Sequence, residues 1–167
     1  MRIYLTFFVI LFGMQVQAQK TINDLIVSGN QKEELNDYKG AYLDFEKARM
    51  LEPGNSKVLY YLGFIKFQME DYANAITDFN LAIESDTESV ELYYARGNAK
   101  FELKYYKEAI SDYNKAILLD STDSESYFNR ALAKYNLGET TSSCKDFQSA
   151  IKYEDKEAEV IWREICQ

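Results

Sequence analysis

Four segments of this chain repeat one pattern at a fixed spacing of 34 residues, with no gap, and few other features could constrain its fold so tightly. Cut from Ile22, the rows are Ile22–Asn55, Ser56–Ser89, Val90–Asp123 and Ser124–Glu157. A small residue recurs at Ala41, Ala75, Ala109 and Ser143, an aromatic at Phe45, Phe79, Tyr113 and Phe147, and alanine again at Ala48, Ala82, Ala116 and Ala150. Gly29, Gly63, Gly97 and Ala131 stand early in each row. In the third row Tyr106, Ala109, Ile110, Tyr113, Ala116 and Ile117 form an i, i+3, i+4, i+7 stripe, which predicts an amphipathic helix. Each row reads as two helices that cannot bury their own apolar stripe, so the rows must stack into a solenoid.

Helix ends carry local signals. Thr21 before Asp24 and Thr122 before Glu125 read as capping boxes, and Pro53–Gly54 reads as a stop for the second helix of the first row. Two charged columns do not vary: Lys32, Lys66, Lys100 and Lys134, and Asp44, Asp78, Asp112 and Asp146. Arg96 and Arg130 add cations to the last two rows. Because the second helix of one unit runs beside the first helix of the next, the expected pairs are Asp78 with Arg96 or Lys100, and Asp112 with Arg130 or Lys134. This is a register-fixing ladder rather than a set of paired catalytic carboxylates.

A 34-residue helix–turn–helix period with these columns resembles the tetratricopeptide repeat over Ile22–Glu157. The resemblance implies an all-α, right-handed superhelical solenoid of four repeats, at 22–55, 56–89, 90–123 and 124–157. A capping helix at 158–167 follows, with Val160, Ile161 and Ile165 as its apolar face and Trp162 over the last core edge. Departures are visible. The family's proline survives only as Pro53, with Thr87, Ser121 and Asp155 in its place, and its tryptophan position holds Leu25, Leu59, Tyr93 and Tyr127.

The resemblance also implies a concave groove lined by the first helices, where an extended peptide or partner helix lies. The inward residues by register are Tyr60, Tyr61, Phe64 and Phe67; then Tyr94, Asn98 and Phe101; then Phe128, Asn129, Leu132 and Tyr135. About half of such an aromatic stripe packs the fold itself. Some members of the family grip a chaperone's C-terminal carboxylate with lysines, asparagines and an arginine. The matching positions here are Ile26, Asn30, Tyr61, Glu91 and Ala95, or Tyr60, Phe64, Ala95, Glu125 and Asn129, so the clamp is absent.

Composition narrows the classes further. Nineteen Lys and Arg against 27 Asp and Glu give a net charge of −8, which disfavours nucleic acid and anionic membrane as partners. The chain has no histidine, and it shows no phosphate loop, metal-ligand set or nucleophile–base pair, so neither enzyme activity nor a cofactor is expected. Arg2, the apolar run Ile3–Met14 and the small residues of Val16–Ala18 outline a signal peptide cleaved after Ala18. The run is too short to span a membrane, so no membrane insertion is expected after cleavage and the chain reads as exported: periplasmic, cell-surface or secreted. Cys144 and Cys166 are the two thiols, in the last repeat and the cap. They read either as a disulfide tying the cap down or as two small buried apolar residues, and Cα atoms more than about 7 Å apart would exclude the bond. The expected function is a non-catalytic module that binds a peptide or partner protein in the aromatic groove. The alternatives are carbohydrate or cell-wall binding on the same aromatic shelf, and self-assembly through that face.

Overall fold

The computed structural model describes residue 19 and residues 21–167; the expected signal peptide lies outside the described residues. Helix α1 covers residues 21–34. It is followed by α2 (Tyr38–Leu51), α3 (Ser56–Gln68), α4 (Tyr72–Ser85), α5 (Val90–Glu102), α6 (Tyr106–Leu119), α7 (Ser124–Asn136), α8 (Thr140–Lys152) and α9 (Lys156–Ile165). The described chain is an all-α repeat solenoid. Each helix from α2 onward packs on the next, and α3 also touches α5 as α5 touches α7, which puts these first helices on the inside of the curve.

The repeating columns are the core. Ala41, Ala75, Ala109, Ala48, Ala82, Ala116 and Ala150 are fully buried, as are the rings of Tyr113 and Phe147, while Phe45 and Phe79 are nearly so. In the first three repeats the ring of the second helix comes close to the backbone of the first helix at a glycine. A Cβ on Gly63 would stand 2.6 Å from Phe79 Cε1, and one on Gly97 2.7 Å from Tyr113 Cε1. Those glycines are needed for the close approach, since a fully packed ring cannot retreat. In the last repeat Ser143 takes the alanine position and donates its hydroxyl to the Ala131 carbonyl at 2.9 Å.

Each hairpin turns through a left-handed residue in the same column: Asn36, Glu70, Lys104 and Gly138, with φ between 60° and 79°. Lys104 N–H bonds to the Phe101 carbonyl and Tyr105 N–H to the Lys100 carbonyl, a Schellman closure repeated in the other three turns. The second helices of the first three repeats stop at equivalent residues, Leu51, Ser85 and Leu119, although only one is followed by proline. The reason lies in Asp86 and Asp120. Their side chains accept from Glu88 N–H and Thr122 N–H, forming Asx turns where the first repeat uses Pro53.

Sequence expectations change at two caps and on the last helix. Thr122 is no cap: it is bound to Asp120, and Asp123 holds the N-cap position of α7, while Thr21 is already helical. The last helix begins at Lys156 rather than Ala158, because Asp155 accepts from Ala158 N–H and starts it earlier. On that helix Val160 is 59% exposed; the packed face is Ala158, Ile161, Trp162 and Ile165, against Ala131, Phe147 and Ala150. Cys144 and Cys166 form a disulfide with Cα atoms 5.8 Å apart, joining α8 to the end of α9.

The ladder exists but in the other register. Asp78 pairs with Lys66 (2.5 Å), Asp112 with Arg96 and Lys100 (2.6 and 2.7 Å), and Asp146 with Arg130 and Lys134 (2.7 and 2.8 Å). All are within one repeat, whose two helices pack more closely than helices of neighbouring repeats do. The arginines also reach backward: Arg96 Nη1 donates to Asn80 and Arg130 Nη1 to Asn114, each in the preceding repeat. Their guanidinium groups lie over Tyr93 and Tyr127, so the residues in the family's tryptophan position carry the arginines. The first two repeats have Leu25 and Leu59 there, and Ser28 and Leu62 in place of arginine. At the array's start, Asp44 is bound by Lys32, Ser28 and Lys47. Burial works to raise its carboxyl, but these hydrogen bonds outweigh burial and hold it at about 2.

Candidate partner-binding groove

The expected groove residues lie on the inner helices α3, α5 and α7, and Tyr60 meets three other rings. It leaves α3 beside Tyr61 (ring centroids 5.5 Å, edge-on), Phe64 (6.3 Å) and the core ring Phe79 (6.2 Å). Three adjoining cavities share Tyr60. One of about 290 Å³ lies toward α1, between Asn30, Glu33, Glu34, Tyr61 and Phe64. Another of about 290 Å³ lies toward α5, with Lys57, Asp86, Ser89 and Glu91 on its wall. A smaller one of about 70 Å³ is closed by Phe64, Phe67, Phe79, Tyr94, Ala95 and Asn98. The rings in these walls that are not core, Tyr60, Tyr61, Phe64, Phe67 and Tyr94, are half-buried and packed against the core clusters behind them.

Other groove positions are more structural. Phe67 and Phe101 pack edge-on against Tyr72 and Tyr106 at 5.2 and 5.3 Å, the same contact in successive repeats, which closes each hairpin. Phe128 meets Phe147 edge-on at 5.8 Å, Leu132 packs with it on the last core cluster, and Tyr135 is exposed. The two asparagines among the expected groove residues already serve internal bonds. Tyr113 donates its hydroxyl to Asn98 Oδ1 at 2.8 Å, and Asn129 Nδ2 donates to Tyr94 Oη at 3.1 Å, tying α5 to α7. Only the third repeat has tyrosine at the core aromatic position, so the hydroxyl that makes the first bond exists in that repeat alone.

Electrostatics of the groove were missed by the sequence reading. Among the described residues, Glu33, Glu34, Asp86 and Glu91 line the two larger cavities against a single cation, Lys57. Burial raises the Tyr60 hydroxyl, and Tyr61, Glu91 and Glu125 push it the same way. Burial takes the Tyr94 hydroxyl up to about 12, with Asn98 opposing and Glu125 reinforcing the shift. Among the described residues, no group of three or more His, Cys, Asp or Glu is placed to hold a metal ion.

Helix pairs stacked around a shared inner groove define an α-solenoid interaction scaffold. The chain belongs to the tetratricopeptide-repeat family: a tetratricopeptide repeat model matches residues 56–89 and 124–157, and a TPR repeat model matches 97–138. No curated protein sequence matches the chain. Among solved structures it is similar to the MamA protein (24% identity, TM-score 0.75, 81% of this chain and 74% of that one). A second similar structure is the first TPR of Spaghetti (RPAP3) bound to the HSP90 peptide SRMEEVD (28% identity, TM-score 0.66, 68% and 91%). PilF of Pseudomonas aeruginosa shares the fold at 16% identity (TM-score 0.76, 83% and 63%).

Proposed function

We propose that this chain is a non-catalytic binding module that holds an extended peptide or a segment of a partner protein against Tyr60, Tyr61 and Phe64. The observation that carries this is the meeting of three cavities on one tyrosine of the inner helices. Such a surface buries a partner's side chains to either side of a fixed ridge. The RPAP3 domain, a similar structure, has a peptide bound, which supports the same use of the fold here. Ring geometry favours peptide over a planar sugar. Tyr61 is stacked on Phe45 at 5.1 Å with one face covered, and Tyr60 is inclined to Tyr61 by 63°, so the rings form a ridge and not a flat shelf. An exported location is part of the reading, supported by the N-terminal sequence and by a disulfide that persists in oxidising compartments.

The test is capture of partners from the native envelope with the parent chain and with a Tyr61→Ser/Phe64→Ser variant whose helical content and melting are checked first. Loss of a captured protein with the variant is the expected result. Recovery of the same partners in the same amounts would remove the groove from the binding function.

A further inference from the structure

The groove's charge is opposite to what an acidic peptide needs. Around the Tyr60–Tyr61 ridge stand Glu33 and Glu34 on one side and Asp86 and Glu91 on the other, with Lys57 the one cation on either wall among the described residues. Glu125 adds its field to the same space, close enough to act on both Tyr60 and Tyr94. None of the ion pairs among the described residues engages these carboxylates; Glu91 accepts from Ser89 Oγ. Six of the chain's cations, Lys32, Lys66, Lys100, Lys134, Arg96 and Arg130, are committed to the buried aspartates and offer the groove nothing.

We infer that the groove selects a cationic extended peptide, one carrying at least two Lys or Arg side chains and an apolar one. This rests on the groove being the binding surface. The basic side chains enter the two larger cavities on either side of the ridge, where each meets carboxylates at the wall and a tyrosine ring beside it. Carboxylate and ring reinforce each other, because a cation over a tyrosine face is attracted to the ring while the nearby charge favours its arrival. The apolar side chain takes the smaller cavity between Phe64, Phe67 and Tyr94, which has room for little more than a short side chain. A peptide such as SRMEEVD, with three carboxylate side chains against one arginine, would be repelled here.

The experiment measures fluorescence anisotropy of three labelled decapeptides in which leucine alternates with lysine, serine or glutamate, titrated with the purified chain. The lysine peptide is expected to bind at least tenfold more tightly than the serine peptide and to weaken as salt rises; the glutamate peptide is expected not to bind. A Glu33→Gln/Glu91→Gln variant should lose most of that preference. Glu84→Gln/Glu108→Gln, on the outer helices α4 and α6, should keep it to within twofold. Equal losses in both variants would mean attraction to net charge alone and would overturn the inference, as would equal affinity for the serine peptide or no binding by any peptide. The groove reading fails separately, if Tyr61→Ser leaves every measured affinity unchanged.

Discussion

The Arg96 guanidinium binds Asp112 through both of its carboxylate oxygens, at 3.0 and 2.6 Å, inside a single repeat. Its remaining arm goes back to Asn80 of the repeat before. One side chain therefore closes a hairpin and touches the boundary between units. Arg130 does the same with Asp146 and Asn114, whereas Leu62 leaves the second repeat without such a strut.

Removing the aspartate should hurt more than removing a surface charge. Asp112→Ala leaves Arg96 and Lys100, both less than one-fifth exposed, facing each other without a counter-charge. Breaking one side of such a partly buried pair costs about 3 kcal/mol. Thermal unfolding should show a melting temperature lower by about 6–12 °C for a chain of this size. A drop of less than about 2 °C would show that solvent already neutralises the site.

The turn at Lys104 offers a gain. Its φ of 62° is costly for a residue with a Cβ, and the equivalent residue of the next repeat is Gly138 at 79°. Lys104→Gly should raise stability by about 1 kcal/mol, since among the described residues the Lys104 side chain forms no ion pair that the change would break. Denaturant unfolding checks it, and an unchanged or lower midpoint would mean that the added freedom of the unfolded chain outweighs the relief of strain.

Acid should loosen the first repeat by a mechanism that can be isolated. The Asp44 carboxyl is held at about 2 against an ordinary value of 3.8, so the folded state favours its ionised form. That contribution is fully present above about pH 4 and is lost as pH falls toward 2. Lys32 is partly exposed, so solvent reduces the effect to about 1 kcal/mol. Comparing acid titrations of stability for the parent and Asp44→Asn should show a shallower slope in the variant between pH 4 and 2; parallel curves would rule the contribution out.

Reduction should act on the other end. The disulfide joins residues 22 apart in sequence, and opening such a loop in the unfolded chain is worth about 3 kcal/mol in the entropic account. Because the bond ties only α8 to α9, hydrogen exchange after reduction should rise first in Lys156–Ile165 and then in α8, with α3–α6 unaffected. Uniform acceleration along the chain would show that the array unfolds as one unit.

The architecture was legible because each column had four chances to speak. The small and aromatic positions fixed which face of each helix is buried, and the period fixed where pairs of helices begin. The ion-pair register was not legible, and the period is the cause. Asp78 has Lys66 before it and Lys100 after it, one repeat apart, so a strictly periodic pattern cannot say which it meets. Helix packing decides. The aromatic ridge was also readable from register, as Tyr60, Tyr61 and Phe64 show, but its acidic walls were not. Glu33 and Glu34 sit at the end of α1, while Asp86 comes from the loop after α4, and only the turn of the array brings these separate segments around the same rings.

Keeping each aspartate with cations of its own repeat has a consequence for how such a chain can change over time. Duplicating or deleting one whole 34-residue unit carries the negative and positive partners together, so no buried charge is stranded at the new junction. The apolar columns and the Schellman turns travel with the unit in the same way. The length of the array is thus free to drift without leaving a buried aspartate unpaired, and selection on the partner is left to act on the few inner-helix residues that differ from one copy to the next.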